Sequence, residues 1–93
     1  MYKSYYTYIM SSNNNAVLYI GVTGDLTKRV LEHKSGKGSY FTSKYHCHKL
    51  VYYETFSDIT QAIAREKEMK GWIRAKKDAL IDTINPKRID LGP

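Results

Sequence analysis

Two side chains that could serve a reactive site lie four residues apart in the segment 19–33, YIGVTGDLTKRVLEH. Arg29 and His33 share one face of the helix that this segment predicts, beside Leu26 and Val30, which should be buried. Both polar side chains therefore border the core. They are either a functional pair that supplies positive charge and proton transfer, or an exposed arginine and a surface histidine with ordinary partners.

A strand and a glycine turn must position that helix. Residues 17–22 are rich in branched and aromatic side chains, which favour a strand. Gly21 and Gly24 permit a close backbone approach or a turn out of the sheet. Asp25 is well placed to cap a helix that begins at Leu26. The segment is therefore predicted to be strand, turn and helix in succession.

Two phenols are predicted to meet across a β-hairpin. Residues 5–10 (YYTYIM) and 17–22 have the pattern of strands, and the polar run SSNNN between them has the composition of a loop. If the loop is centred between the first two of its asparagines, Tyr8 stands directly opposite Tyr19. Such a pair is either an ordinary cross-strand contact or two hydroxyls brought together for chemistry.

A carboxylate is predicted on the apolar face of a later helix. Asp58, with Gln61 three residues on, resembles a capping box that opens this helix. The apolar face comprises Ile59, Ala62, Ile63, Glu66, Met69 and Ile73. Glu66 is the exception, because an unpaired carboxylate is costly on an apolar surface. It should have a cation, an arginine or water beside it, or lie at the edge of the face and extend into solvent.

The segment 37–48 is predicted to be a loop, because Gly36 is a plausible left-handed end to the preceding helix. It interleaves basic and aromatic side chains, a mixture that suits single-stranded or distorted nucleic acid. The candidate nucleic-acid contacts are Lys37, Tyr40, Lys44 and Tyr45. The same composition is also that of an ordinary polar loop.

Consecutive His46, Cys47 and His48 suggest zinc at first sight. Three neighbouring ligands with no second pair at a suitable spacing make a poor tetrahedral site. We therefore expect no zinc there.

Composition limits the class of protein. A chain of 93 residues is predicted to form one domain, residues 1–93, with a core at about 4–85 and a short C-terminal tail. A net charge of +6 favours an anionic partner, nucleic acid first and an acidic membrane surface second. One cysteine excludes an internal disulfide, and no apolar run is long enough for a signal peptide or a membrane span. A cytoplasmic location is therefore expected.

The remaining elements complete an α+β pattern. Residues 50–56 (LVYYETF) predict a third strand, antiparallel because no long crossover helix precedes it. Gly71 predicts a break or bend between two helical segments. The pair Asn85-Pro86 should end the last helix.

Several of these residues stand together in a known pattern. Tyr8 is followed by Tyr19, which begins the triplet YIG, and then by Arg29, His33 and Glu66. This combination resembles the GIY-YIG nuclease superfamily over nearly the whole chain. The stretch REKEMKGW at 65–72, LI at 80–81 and NP at 85–86 are similar to its small stand-alone bacterial branch.

The resemblance implies an α+β fold with a three-stranded antiparallel β-sheet flanked by helices. It also implies a single reactive site on one face. The implied catalytic residues are Tyr8, Tyr19, Arg29, His33 and Glu66. Gly21 and Asn85 would support them. The implied reaction is hydrolysis of DNA phosphodiester bonds by an endonuclease of DNA repair, recombination or processing.

The resemblance also implies a division of labour. Glu66 would hold one Mg²⁺ or Mn²⁺, hard ions that prefer carboxylate and water. Arg29 would bind the phosphate and oppose developing charge. A tyrosine hydroxyl whose pKa is lowered by nearby cations would activate water, with His33 as a relay. We favour Tyr8 as the base and Tyr19 as a donor that orients the phosphate.

Two other classes compete with the enzyme. One is a non-catalytic or weakly catalytic nucleic-acid-binding module that keeps the basic surface. The other is a peripheral membrane protein, which the lack of a clean basic amphipathic helix disfavours, so no membrane partner is expected. The sequence leaves open whether RNA is accepted and whether a protein partner supplies targeting.

Overall fold

The computed structural model describes residues 3–93, and Met1 and Tyr2 of the predicted domain lie outside the described residues. The elements in chain order are β1 (Tyr5–Ser11), β2 (Leu18–Thr23), α1 (Leu26–Lys34), α2 (Tyr40–Lys44), β3 (Lys49–Phe56), α3 (Ile59–Lys70) and α4 (Arg74–Asp82). The predicted α+β class is confirmed. No described helix has both the length and the apolar character that a membrane span needs.

The three strands form one antiparallel sheet in the order β2-β1-β3. Strand β1 lies in the centre and is buried from Thr7 to Ser11. Strands β2 and β3 form the two edges. The pairing of β1 with β3 is irregular between Ile9 and Met10. The predicted antiparallel sheet is therefore confirmed, with the first strand in the middle.

The core is divided between the two faces of the sheet, because neighbouring residues of a strand point to opposite sides. On one face Ile9 packs in a cluster with Met69 of α3 and Ile81 of α4. On the other face Tyr8 packs in a cluster with Val30 of α1. Helix α1 therefore covers the face that carries Tyr8, and helices α3 and α4 cover the opposite face.

The predicted pairing of Tyr8 with Tyr19 is wrong. Tyr8 pairs with Gly21, and Tyr19 pairs with Met10, two residues further along β1. Because the displacement is an even number of residues, both tyrosines stay on the same face. Their rings are diagonal neighbours, with centroids 6.3 Å apart.

The hairpin loop explains the error in pairing. Its centre lies between Asn14 and Asn15, one position later than the predicted centre between the first two asparagines. Asn15 adopts a left-handed conformation with φ of 63°. The Oδ1 atom of Asn14 accepts hydrogen bonds from the Ser12 hydroxyl and the Ala16 N–H. These local bonds determine where the chain turns. The alternation of residue types along the two strands gives no information about them.

The segment predicted to be a loop after α1 is partly helical. Gly36 has φ of 79°, which confirms the predicted left-handed end of the preceding helix. Helix α2 then forms because the Ser39 hydroxyl accepts a hydrogen bond from the Thr42 N–H and caps it. A helix of five residues is too short for the periodicity of its apolar residues to be recognised in the sequence.

The break at Gly71 is confirmed, since α3 ends at Lys70 and α4 begins at Arg74. Asp58 caps α3 through the Thr60 N–H, as its position predicts. Ile73 lies in the break and is 74% exposed, so its predicted place on the apolar face is wrong. Ile73 is the N-cap of α4 and has extended backbone, so it does not continue the face of α3.

Candidate active site

Tyr8 and His33 are joined by a direct hydrogen bond between buried groups. The Tyr8 hydroxyl lies 2.8 Å from His33 Nε2. Tyr8 comes from the central strand, and His33 comes from the last turn of α1. Asp25 caps α1 through the Lys28 N–H, so the start of the helix, and with it the direction of His33, is fixed by the turn after β2.

The second nitrogen of His33 also has a partner. His33 Nδ1 lies 2.9 Å from the Thr42 hydroxyl, which lies 2.9 Å from the Ser39 hydroxyl. The Thr42 hydroxyl can donate to the Ser39 carbonyl, at 3.4 Å, which leaves its oxygen free to accept from Nδ1–H. We assign this tautomer from the network. Nε2 is then the acceptor of the Tyr8 proton.

Burial keeps both groups of this pair neutral. It lowers the pKa of His33 from 6.5 to about 4, assisted by the positive charge of Arg29. It also raises the pKa of Tyr8 to about 12, although the interaction with Arg29 acts in the opposite direction. The predicted lowering of the phenol pKa by nearby cations is therefore wrong for the chain itself, because desolvation outweighs one guanidinium.

Two glycines make room for this pair. A Cβ atom on Gly21 would lie 2.5 Å from the Tyr8 hydroxyl oxygen. A Cβ atom on Gly38 would lie 2.1 Å from His33 Nδ1. Both contacts are far shorter than atoms tolerate, so each position needs glycine for close approach. Sequence reasoning found Gly21 because it interrupts a strand, but it missed Gly38, which lies in a polar segment.

Tyr19 and Arg29 border the pair. The Tyr19 ring centroid lies 5.3 Å from that of His33. The Arg29 side chain is 28% exposed and makes a long contact of 3.9 Å with Glu32. A partly exposed guanidinium with a weak partner is available to an incoming anion. The structure thus brings together Tyr8, Tyr19, Arg29 and His33, four of the five predicted catalytic residues.

Glu66 lies on α3, on the face of the sheet opposite to α1, and its place in the reactive site stays a prediction. Its side chain is 21% exposed and lies 3.4 Å from the ammonium of Lys70, which is the cation that its position on α3 required. Lys70 lines a groove together with Tyr19. Glu66 is therefore on the side of α3 that faces strand β2, at the edge of the apolar surface.

Asn85 is buried away from solvent after α4. Its amide nitrogen donates to the carbonyls of Val51 and Ile89, at 3.1 and 2.8 Å. Its amide oxygen accepts from the Ile89 N–H at 3.0 Å. These bonds attach the C-terminal segment to strand β3. The predicted support of the reactive site by Asn85 stays a prediction.

The predicted nucleic-acid contacts lie on and around α2. Lys37 is exposed, and Tyr40 is 80% exposed. The Lys44 ammonium lies 5.8 and 5.5 Å from the ring centroids of Tyr40 and Tyr45. Phe41 connects this group to the site, because its ring lies 4.8 Å from that of Tyr45. Aromatic and basic groups therefore extend from the site towards the surface.

The segment around Cys47 has features of a structural position. Cys47 is fully buried in the cluster that contains Tyr8, and burial raises the pKa of its thiol. Zinc requires the deprotonated thiolate, which burial disfavours. The expectation of no zinc stays a prediction.

Comparison with known proteins identifies the family. The family model described as GIY-YIG catalytic domain matches residues 4–78. The chain belongs to the GIY-YIG family. It is 37% identical over 81 residues to a UPF0213 protein of Bacillus pumilus, an alignment that covers 87% of this chain and 82% of that protein. It is 36% identical over 78 residues to a UPF0213 protein of Haloquadratum walsbyi, an alignment that covers 84% of this chain and 86% of that protein.

A solved structure supports the same assignment of fold. The solution NMR structure of a UPF0213 protein from Bacillus halodurans matches with a TM-score of 0.59 and 30% sequence identity, over 90% of this chain and 88% of that one. This GIY-YIG chain therefore resembles small UPF0213 proteins over most of their length. The predicted small stand-alone branch is confirmed.

Proposed function

We propose that this GIY-YIG chain is a metal-dependent phosphodiesterase that cleaves DNA in repair, recombination or processing. The observation that carries the proposal is the hydrogen-bonded pair of Tyr8 and neutral His33 beside the partly exposed Arg29. A phenol bonded to a neutral imidazole has a route for its proton, and the adjacent guanidinium can attract the phosphate. A purely structural pair would not need the arginine at its open side.

Each side chain has one task in this proposal. Arg29 binds the phosphate and opposes the negative charge that develops on it. Tyr8 takes a proton from the attacking water as it passes its own proton to His33 Nε2, so that the phenol stays neutral throughout. His33 can accept that proton because Nδ1–H is engaged with Thr42. Tyr19 orients the phosphate from the same face.

The residues present fit a hard divalent cation. Glu66 has a partly exposed carboxylate whose contact in the described chain is an ion pair of 3.4 Å with an exposed ammonium, which a stronger cation can displace. Mg²⁺ commonly binds through one or two carboxylates, with water and substrate phosphate as further ligands. Glu66 would therefore hold Mg²⁺ or Mn²⁺. When bound, the ion polarises a phosphoryl oxygen.

The ion pair between Glu66 and Lys70 also favours a second candidate function. A carboxylate neutralised by its own lysine needs no metal, and a basic surface can bind nucleic acid without cutting it. The chain would then be a non-catalytic or weakly catalytic binding module. Such a module would bind DNA equally with or without divalent cations.

Glu66→Gln separates the two candidates, since it keeps the shape of the side chain and removes its charge. Labelled single-stranded, duplex, flap and branched DNA, with RNA of the same sequence, would be incubated with Mg²⁺, Mn²⁺ or chelator. We expect Glu66→Gln to cleave DNA more slowly than the parent by orders of magnitude. Its affinity for DNA should be unchanged or slightly higher. Glu68→Gln, which is also on α3, is the matched control. Circular dichroism would measure the folded fraction of each variant.

Equal cleavage by the parent and Glu66→Gln would remove Glu66 from the reaction. If the parent cuts no substrate with either metal, the binding module replaces the enzyme.

A further inference from the structure

A shallow groove of about 290 Å³ runs along the edge strand β2 and opens from the candidate active site. Its lining residues are Leu18, Tyr19, Ile20, Phe41, Lys70 and Lys77. Tyr19 belongs to both the groove and the active site, so whatever occupies the groove lies beside the reacting phosphate. Small-ligand sites usually measure roughly 300–1,000 Å³. The groove therefore suits one group of about nucleotide size.

One side of the groove offers aromatic surface. The rings of Tyr19 and Phe41 have centroids 5.9 Å apart and are inclined by only 32°. Phe41 is 39% exposed, an unusual position for a phenylalanine in a small domain. Aromatic rings exposed beside cations are the surfaces on which unpaired bases stack.

The other side of the groove offers positive charge. Lys70 comes from α3 and Lys77 from α4, and both helices approach strand β2 on the face opposite to α1. The Lys70 side chain is 55% exposed despite its contact with Glu66. Two ammonium groups and two aromatic rings in the lining of one groove match the two parts of a nucleotide, a phosphate and a flat base.

A second cavity in the described part of the chain does not offer this combination. It measures about 460 Å³ and lies along α1, where Asp25 and Glu32 are among its lining residues. Their carboxylates oppose phosphate binding, although Lys28 also lines the cavity, and no aromatic side chain is among its lining residues. This cavity therefore suits a nucleotide less well than the groove on β2 does.

We propose that this groove binds one unpaired nucleotide next to the phosphodiester to be cut. Its base stacks on Phe41 and Tyr19, and its phosphate contacts Lys77 and Lys70. The inference rests on the proposed function, because it defines the substrate of the same site. A base inside an intact duplex would first have to be unpaired and unstacked at a cost in free energy, whereas an unpaired base enters without that cost. The substrate class is therefore a single strand, a flap or a branch with an unpaired nucleotide.

The test is binding in chelator, where metal-dependent cleavage is absent. Fluorescence anisotropy would measure the affinity of the parent, Lys77→Ala and Phe41→Leu for a labelled single strand of DNA, the same strand of RNA, and blunt duplex DNA. Lys77→Ala should weaken single-strand binding about fivefold at 0.1 M salt and lower the salt slope by about 0.7, the contribution of one phosphate contact. Lys67→Ala, which removes an exposed charge from α3, is the matched control.

Phe41→Leu keeps an apolar side chain and removes the stacking surface. It should weaken single-strand binding about five- to a hundredfold and leave blunt-duplex binding unchanged. Phe41→Tyr should restore the parental affinity. Comparable losses on DNA and RNA would support recognition of base and phosphate alone, and a larger loss on one would assign the groove to that nucleic acid.

The outcomes separate this inference from the proposed function. If Lys77→Ala and Phe41→Leu bind the single strand as tightly as the parent does, the groove is not the subsite, whether or not the parent cleaves. If both lose affinity selectively while the parent cuts nothing, the groove stands and the nuclease proposal fails. Equal losses on single strand and blunt duplex would overturn the unpaired-nucleotide assignment.

Discussion

The two faces of the sheet each carry a buried tyrosine with a polar acceptor and an arginine. On one face Tyr8 donates to neutral His33 beside Arg29. On the other face Tyr52 donates to Glu54 at 2.5 Å, and Arg65 holds the same carboxylate with three hydrogen bonds of 2.9, 3.2 and 3.0 Å. Burial raises the pKa of both phenols to about 12.

The partners distinguish the two tyrosines, whereas the pKa does not. Arg65 stacks on Trp72 and binds Glu54 and Glu68, which together raise its pKa, so its guanidinium is fully engaged. Arg29 interacts with the Tyr8 hydroxyl, and the carboxylate beside it in the described residues, that of Glu32, is at a long 3.9 Å. A raised pKa therefore identifies burial, and a reactive site is better indicated by a neutral acceptor and an available cation.

Removing each phenol tests this comparison with the largest expected effect. Tyr8→Phe should lower cleavage about a hundred- to ten-thousandfold, the usual contribution of a positioned acid or base. Tyr52→Phe should leave cleavage unchanged and lower the free energy of unfolding by about 1–3 kcal/mol, because it loses a hydrogen bond to a charged group. Single-turnover cleavage and urea unfolding measure the two effects. Parental cleavage by folded Tyr8→Phe would contradict the assignment.

The two arginines should differ in the same way. Arg29→Ala should reduce cleavage about a hundred- to a thousandfold and also weaken DNA binding, since one guanidinium serves both. Arg65→Ala should instead reduce stability by about 1–3 kcal/mol, because Glu54 loses its partner. Arg29→Lys keeps the charge without the planar fork, so it should recover binding more than rate. A similar loss of rate in both alanine variants, corrected for folding, would remove the distinction.

The acceptor of Tyr8 predicts a dependence of stability on pH. The pKa of His33 is about 4 when folded and 6.5 ordinarily, so the unfolded chain binds the proton first as the pH falls. Neutral His33 therefore makes its full contribution to the free energy of unfolding above pH 6.5. This contribution is lost as the pH falls towards 4, and the loss is at most about 3 kcal/mol. Urea unfolding at several pH values should give a steeper decline for the parent than for His33→Gln. Identical slopes of unfolding free energy against pH in the two proteins would show that the His33 imidazole is not in a buried environment that lowers its pKa.

The smallest expected effect concerns the group that orients His33. Thr42→Val keeps the shape and removes the hydroxyl, so the tautomer is no longer fixed and cleavage should fall about tenfold, as for other orienting partners. Thr42→Ser should restore the rate. Nitrogen NMR shifts of His33 would report the tautomer directly, and an unchanged tautomer in Thr42→Val would show that Thr42 only packs.

Local patterns predicted the elements, while contacts distant in sequence decided the site. Asp25, Asp58 and Gly71 predicted helix ends correctly, because caps and breaks depend on neighbouring residues. The hairpin pairing failed because Asn14 and Asn15 set the loop through a side-chain bond and a positive φ.

The shell around His33 was outside the reach of the sequence patterns. Thr42 and Gly38 contact the imidazole from a segment nine and five residues further on, whose short helix has no periodicity to detect. The phenol pKa of the chain by itself departs from the predicted direction for a related reason. Counting nearby cations is straightforward in a sequence, but the cost of burying Tyr8 depends on the assembled core.

The contact between Gly21 and the Tyr8 hydroxyl limits how this protein can be made more robust. Replacing glycine in a strand or loop usually raises thermal stability by restricting the unfolded chain. At position 21 the first added carbon would fall 2.5 Å from the phenol oxygen, so the clash with the buried ring outweighs that gain. A library selected for heat resistance alone should therefore keep glycine at this position, and the usual replacement of glycine has to be made elsewhere in the chain.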